Sequence, residues 1–485
     1  MNQIRTFDYL HLSSNSGLQS DSNFWFHYNM YKHLFQKYPD KYHFLLTVPN
    51  DKESVLIARK YFDFPNVTLI PIKYLTTSAL SRYWFDMESL QNQSNEIGVF
   101  DVLFCNTPDV MPGLQSFFQS RGYYSIPMNY FHWIPQTVSE PIKASYRDQL
   151  AGWSTEAKSF VSMLISSYNG CNSEYGKKLI LDGMKFMSNE DTMKEISSKT
   201  YSLPLVPDKN EILQYQKYEG TKEISEPIIL FNYRKSEYTG FSKFMKAIQI
   251  FVKNYPTIKF KIAFTSVGGK QMTAQYELPS EYVLFEKELS REEYMKILWQ
   301  SDIQLGTHIG SSQWSLSFME GMFAGSVPLF QRNVFFDELF KDLPNFNYHL
   351  YSYEDEKDFS QKLLDILTNL QFYKDESKKI QEFFLKEWSW ENLVHKWDEA
   401  FNYCYSKIYE SNSDIVRQKL NDKMFNTPIP FTKVQDILVL GNQRSTPVYL
   451  KTIKNKFSLF DDMTSSKPIL SKEKPSQKSI NEWFK

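Results

Sequence analysis

Cysteine is scarce in this chain of 485 residues: Cys105, Cys171 and Cys404 lie far apart, with no Cys-x-x-Cys pair. That spacing argues against a disulfide framework or a structural zinc and fits a reducing compartment. Charge of one sign is missing too. Lys+Arg 55 against Asp+Glu 56 gives a formal net charge of -1, so no global field draws the protein to nucleic acid or anionic lipid, and any such binding is local or recruited. No uninterrupted apolar stretch approaches the roughly 20 residues of a membrane span. The start, Met1-Asn2-Gln3-Ile4-Arg5, has no signal h-region, so the expected location is the cytoplasm, that of a host if the source is viral. The 8 histidines form no ligand-spaced pair, and neither a metal nor a cofactor is expected.

What is present in quantity is length and aromatic side chains, Phe 39 and Tyr 31 among them. The length suits two ordinary domains and a tail. Phe7 to Ser16 reads as a strand entering a loop, Ser13-Ser14-Asn15-Ser16-Gly17, before a helix through Phe24, Tyr28, Tyr31 and Leu34. Apolar runs then alternate with helical patterns at His43 to Val48, Val67 to Ile70, Val102 to Cys105, Tyr124 to Phe131 and Phe160 to Cys171. A second series starts at Ile228 to Phe231 and continues through Lys259 to Phe264 and Tyr282 to Phe285. Alternation at this spacing predicts α/β domains, each a parallel sheet with helices on both faces, and two in succession predict a cleft between them.

The most telling run is Gly310-Ser311-Ser312-Gln313-Trp314-Ser315-Leu316-Ser317-Phe318-Met319-Glu320-Gly321-Met322-Phe323-Ala324-Gly325. It reads as a Gly/Ser loop, a short helix and a Gly turn. Leu316, Met319 and Phe323 form the stripe that a helix buries, and Glu320 stands one position from it. A carboxylate there must be paired or ligated. The loop before the helix leaves N–H groups free for an anion such as a diphosphate.

This run resembles the donor-site signature of the retaining, two-Rossmann-domain (GT-B) glycosyltransferases, above all glycosyltransferase family 4. The resemblance covers roughly residues 5 to 408 and implies that Glu320 grips the ribose hydroxyls of a nucleotide-sugar. Cys171-Asn172-Ser173-Glu174-Tyr175-Gly176, Leu203-Pro204-Leu205-Val206-Pro207, Leu289 to Ile303 and Trp388-Ser389-Trp390-Glu391 resemble further segments of that family. In Phe231-Asn232-Tyr233-Arg234-Lys235-Ser236-Glu237-Tyr238-Thr239-Gly240, Arg234 and Gly240 match the family's diphosphate-binding positions. Thr239 stands where the family has a Lys, so Lys235 or Lys243 is expected to supply that charge. Gly310 and Ser311 belong to the phosphate loop, and Ser312 replaces the first of the family's two glutamates. His132 matches the cleft histidine that faces the transferring sugar, and the other reading is a histidine hydrogen-bonded for structure. His308, beside the phosphate loop, is a second candidate. Gly17 matches the glycine that lets the first-domain loop approach the phosphates. No Asp-x-Asp follows a strand as in metal-dependent GT-A enzymes, and Glu354-Asp355-Glu356 reads as a solvated turn.

Beyond about Tyr409 the match ends. Asp461 to Ser476 reads as a flexible linker leading to Gln477-Lys478-Ser479-Ile480-Asn481-Glu482-Trp483-Phe484. Gln477, Ile480, Trp483 and Phe484 resemble the peptide that plugs into sliding clamps of the PCNA type, one helical turn offering an apolar anchor set. The alternative is an accidental short pattern.

The expected organisation is a Rossmann-like acceptor domain over 1–208, a nucleotide-sugar domain over 209–385 and a crossing-back helix over 386–409. An extension over 410–460 and a clamp-binding tail over 461–485 follow. The expected activity is transfer of a sugar from a nucleoside diphosphate, UDP in the first instance, to a hydroxyl with retention. The clamp resemblance makes hydroxymethylated pyrimidine in DNA the expected acceptor, as in bacteriophage DNA glucosyltransferases. The alternatives are transfer to polysaccharide, lipid-linked glycan or protein, and a catalytically silent binding module, which Ser312 and Thr239 make conceivable.

Overall fold

The computed structural model describes residues 3–10, 18, 22–74, 85–132, 157–185, 188–233, 235, 239–265, 276, 278–307 and 314–410. Gly17, Arg234, His308, Gly310, Ser311, Ser312 and the tail residues Gln477, Ile480, Trp483 and Phe484 lie outside them.

Seven strands build the first sheet: β1 (Ile4–Tyr9), β2 (Tyr42–Pro49), β3 (Val67–Ile72), β4 (Val102–Cys105), β5 (Ile126–Phe131), β6 (Tyr168–Cys171) and β7 (Thr200–Ser202). Their order is β3-β2-β1-β4-β5-β6-β7, every pairing parallel. β4, β5 and β6 are buried at every residue, as strands covered by helices on both faces must be. The second sheet joins β8 (Ile228–Phe231), β9 (Lys261–Phe264), β10 (Val283–Glu286), β11 (Ile303–Gly306), β12 (Val327–Gln331) and β13 (Ser352–Tyr353) in the order β10-β9-β8-β11-β12-β13, again all parallel. The strand order reverses between β1 and β4 in one sheet and between β8 and β11 in the other. Crevices at such reversals, beyond the carboxyl ends of the strands, are where open α/β sheets bind ligands.

The run Phe160 to Cys171 is not a single strand: residues 157–165 are helical and only Tyr168–Cys171 joins the sheet. Glu354 and Asp355 form an exposed bend, as expected, and Glu356 opens the helix Glu356–Thr368, which Asp355 caps by accepting from the backbone N–H groups of Lys357 and Asp358.

Two elements tie the halves together. The helix Trp390–Glu410 returns to the first sheet, where the Trp397 ring packs 5.2 Å from Phe26 and 5.0 Å from Tyr130. Asp398 on the same helix accepts from Lys41 at 2.5 Å and also from the Tyr42 hydroxyl. In the linker, Asp208 caps the helix Lys209–Leu213 and accepts from Lys32 Nζ at 2.5 Å. Burial pushes the Asp208 carboxyl up, but His33 and Lys32 outweigh it and hold the group well below its ordinary value. A further bridge runs from Glu338, whose carboxylate accepts from the backbone N–H groups of Glu174 and Tyr175 at 2.8 and 2.9 Å. These amides open the helix Glu174–Met184, so the contact sets an acid against the positive end of a helix.

Candidate active site

The segment with the buried acid forms the helix Leu316–Phe323, capped by Ser315, whose hydroxyl accepts from Phe318 N–H at 3.2 Å. The buried face is not the expected stripe: Leu316 is only half-buried and lines the cleft, while Phe318, Met319, Glu320, Gly321, Met322 and Phe323 are all enclosed. Gly321 makes this possible. A Cβ at that position would lie 2.5 Å from the Gln304 side chain, so only glycine lets the helix settle on β11.

Glu320 is 8 % exposed and both its oxygens are partnered. Arg291 Nη2 donates to Oε1 at 3.0 Å, and the Tyr294 hydroxyl donates to Oε2 at 2.6 Å. Arg291 and Tyr294 are one turn apart on the helix Arg291–Gln300 and so present both donors from one face. Burial first, and the Glu320 charge second, push the Tyr294 phenol well above its ordinary value, so it stays a donor. Arg291 also makes a two-pronged bond to Glu211 of the linker, Nε and Nη2 to the two carboxylate oxygens at 2.9 and 3.0 Å. Burial works against its charge, but Glu320 and Glu211 more than offset it and hold the guanidinium above its usual range. Asn232, at the end of β8, completes the network by donating to the Tyr294 oxygen at 2.9 Å and the Ser317 carbonyl at 3.0 Å, while Gln304 donates to the Asn232 oxygen at 2.9 Å. A carboxylate offers about four acceptor positions. Two are used here, which leaves room for two hydroxyls of a ligand.

Glu320 lies on the wall of a cleft of about 1110 Å³. Its second-sheet side carries Asn232, Thr265, Glu288, Arg291, Tyr294 and Glu320, its floor is the linker from Leu205 to Tyr215, and its opposite side comes from the helices Ser22–Lys37 and Lys52–Tyr61. Asn232, directly after β8, and Leu316, Ser317 and Glu320, from the helix that follows β11, thus face this space, where open α/β sheets bind ligands.

The other expected site residues divide. His132 follows β5, its Nε2 3.0 Å from the Ser22 hydroxyl and its ring 6.2 Å from Phe26; both neighbours line the cleft. Gly240 has φ +73° at the start of the helix Phe241–Asn254, and a Cβ there would fall 2.0 Å from the Thr307 carbonyl oxygen. It brings the loop after β8 against the loop after β11, and the Thr307 hydroxyl donates to the Thr239 carbonyl at 2.5 Å. Thr239 itself is buried. Lys235 departs from expectation: its ammonium pairs with Glu286, both side chains nearly enclosed at 6 % and 7 %, so its charge is already neutralised. Lys243 is exposed on the first turn of its helix. Arg291, Tyr294 and Gln304 carry no single-residue signal; the spacing of Arg291 and Tyr294 on one helix was the available clue. Among the described residues no group of three or more His, Cys, Asp or Glu side chains is placed to hold a metal ion, and no helix is long and apolar enough to cross a membrane.

No protein-family model matches the sequence, and no curated protein matches it either. Solved structures do match. Sucrose-phosphate synthase of Thermosynechococcus elongatus superposes with a TM-score of 0.61 at 11% identity, over 84% of this chain and 100% of that one. HepE of Anabaena in complex with UDP gives 0.56 at 10% identity, over 83% and 100%. The catalytic domain of starch synthase IV of Arabidopsis thaliana, bound to ADP and acarbose, gives 0.56 at 10% identity, over 84% and 100%. These neighbours are GT-B glycosyltransferases, and this chain has their fold: two parallel-sheet α/β domains facing a cleft, braced by a helix that crosses back.

Proposed function

We propose that this protein is a glycosyltransferase that moves a sugar from a nucleoside-diphosphate sugar to a hydroxyl, with retention. The observation that carries the proposal is Glu320, held by Arg291 and Tyr294 beside the β8/β11 switch point with acceptor positions to spare. HepE binds UDP and UDP-glucose, and starch synthase IV binds ADP, which supports a nucleotide ligand here, UDP first. Glu320 takes the two ribose hydroxyls. Arg234, with the Gly310-Ser311-Ser312 loop, meets the diphosphate, since the Lys235 charge is matched by Glu286. The C1–O bond to the diphosphate breaks, the nucleoside diphosphate leaves with the bonding pair, and the acceptor oxygen bonds to C1 from the same face. The acceptor proton passes to the departing phosphate oxygen. The transition state is of the oxocarbenium kind, and the main electrostatic task falls on the donors around the diphosphate. His132, at the first-domain edge, faces the sugar.

Two acceptors are supported by different observations. The terminal Gln477, Ile480, Trp483 and Phe484 pattern supports hydroxymethylated pyrimidine in DNA, with the tail tethering the enzyme to a sliding clamp. The cleft supports an uncharged acceptor instead: its described lining carries six carboxylates, Glu53, Asp208, Glu211, Glu288, Glu292 and Glu320, against the cations Lys32 and Arg291. Protein surfaces that take DNA carry the opposite balance.

The test is transfer from a panel of radiolabelled nucleotide-sugars to duplex DNA, with and without hydroxymethylated cytosine or uracil, and to uncharged saccharides, beside a Glu320→Ala control. Label in one acceptor class that is lost in the control names both donor and acceptor. Absence of nucleotide binding in calorimetry, with the protein folded, would refute the proposal.

A further inference from the structure

The first-domain side of the cleft carries a feature that the donor chemistry does not use. Trp25, Tyr28 and Asn29 stand at i, i+3 and i+4 on the helix Ser22–Lys37, and Glu53, Ile57 and Tyr61 at i, i+4 and i+8 on the helix Lys52–Tyr61. Each set lies along one helix face, and all six residues line the cleft. The two faces meet through their rings. Trp25 and Tyr61 have centroids 5.4 Å apart at 85°, Tyr28 and Tyr61 5.7 Å apart at 88°, and Trp25 and Tyr28 5.9 Å apart at 89°. Such edge-to-face packing fixes each ring rigidly. Phe24, fully buried, backs the group at 5.3 Å from Trp25 and 5.5 Å from Tyr61. Unlike Phe24, the three cleft rings keep part of their surface open.

A rigid, partly open aromatic surface flanked by an amide and a carboxylate, in a cleft with a carboxylate excess, has a definite chemical complement. Its ligand offers an apolar face of C–H bonds to the rings and hydroxyl donors to Asn29 and Glu53, and it carries no negative charge. We propose that Trp25, Tyr28 and Tyr61, which stand nearly perpendicular to one another, form the acceptor shelf, where an uncharged sugar lies on the face of one ring and against the edges of the others, with its hydroxyls bonded to Asn29 and Glu53. As an acceptor site this rests on the glycosyltransferase reading; as a saccharide-binding surface it stands without it. Phosphate-bearing acceptors are disfavoured by Glu53 and by the acidic lining beyond it.

The full chain is tested by two readouts. Saturation-transfer NMR with short uncharged oligosaccharides and aryl glycosides reports binding without any donor, and label transfer from UDP-sugars reports turnover, with sugar phosphates and hydroxymethylated DNA as competing acceptors. The expected result is binding and glycosylation of at least one uncharged saccharide. Tyr61→Ala and Trp25→Ala should each raise the acceptor KM by about ten-fold, with kcat changed much less, and Tyr61→Phe should restore it because the ring remains. Calorimetric UDP binding and thermal melting establish that the variants are folded. Labelling of hydroxymethylated DNA alone, no saccharide signal in a protein that binds UDP, or an unchanged acceptor KM in both alanine variants would each overturn the shelf. If UDP does not bind at all, the donor reading fails. The shelf then stands on a saccharide signal that is lost in Tyr61→Ala and kept in Tyr61→Phe, and falls without it.

Discussion

Asp8 and Glu320 hold comparable places in the two halves of the molecule. Each is a buried carboxylate near the strand reversal of its sheet, and each is held by two residues of a neighbouring helix. His27 Nε2 and the Tyr31 hydroxyl meet Asp8 at 3.0 and 2.5 Å, as Arg291 and Tyr294 meet Glu320 at 3.0 and 2.6 Å. The difference lies in what surrounds them. Asp8, His27 and Tyr31 are completely enclosed, and His27 Nδ1 is used on the Asn23 carbonyl at 2.7 Å. The Glu320 side chain keeps 11 % of its surface and Arg291 keeps 38 %, and both residues line the cleft. A buried acid by itself therefore says only that partners exist. An opening beside it, with acceptor capacity left over, separates a binding group from a structural one.

Substitutions at matched positions sharpen this contrast. The largest effect is expected for Asp8→Ala, which strands the His27 and Tyr31 donors and should cost about 3–5 kcal/mol in urea unfolding, with donor KM in the folded fraction unchanged. Glu320→Gln should do the reverse: kcat/KM falls about 100-fold while the unfolding free energy moves by less than about 1 kcal/mol. A stability loss at Glu320 as large as at Asp8 would erase the distinction. The phenols repeat the pattern on a smaller scale, Tyr31→Phe lowering stability by about 1–3 kcal/mol and Tyr294→Phe raising the donor KM about five-fold. Asp208 supplies a pH handle. Its folded-state carboxyl is held below the ordinary 3.8, so its stabilising contribution is complete above that value and is lost as the pH falls through the depressed one. Acid titration of Asp208→Asn should show a shallower loss of stability below pH 3.8 than the parent chain. Glu211→Gln removes one side of a partly exposed pair and should change stability by less than about 1 kcal/mol.

Segments whose pattern is set locally were legible in the sequence. Val102–Cys105 and Ile228–Phe231 are short apolar runs, and both form strands at those bounds. Phe160 to Cys171 misled because its apolar residues Phe160, Val161, Met163, Leu164 and Ile165 run nearly unbroken, with Val161 exposed all the same, so that neither a period of 3.6 nor one of 2 stands out. Thr200–Ser202 and Ser352–Tyr353 lie at sheet edges and are too short to carry a period at all. In the site, Glu320 stood out as a charge inside an apolar helix. Its partners did not, because Arg291 and Tyr294 reach it only through the packing of one helix on another. The fate of Lys235 was hidden for the same reason: Glu286, 51 residues further on, takes its charge.

The returning helix also sets an order of events at the ribosome. Phe26, Phe104 and Tyr130, all within the first third of the chain, have Trp397 and Phe401 as packing partners. The amino-terminal half therefore emerges long before the residues that finish its core, and it must wait, with aromatic surface uncovered, while the second half is made and folds. Synthesis arrested short of Phe401 would leave a nascent protein with a complete set of strands and an unfinished interior. For this chain, release of a folded first domain is a late step of translation.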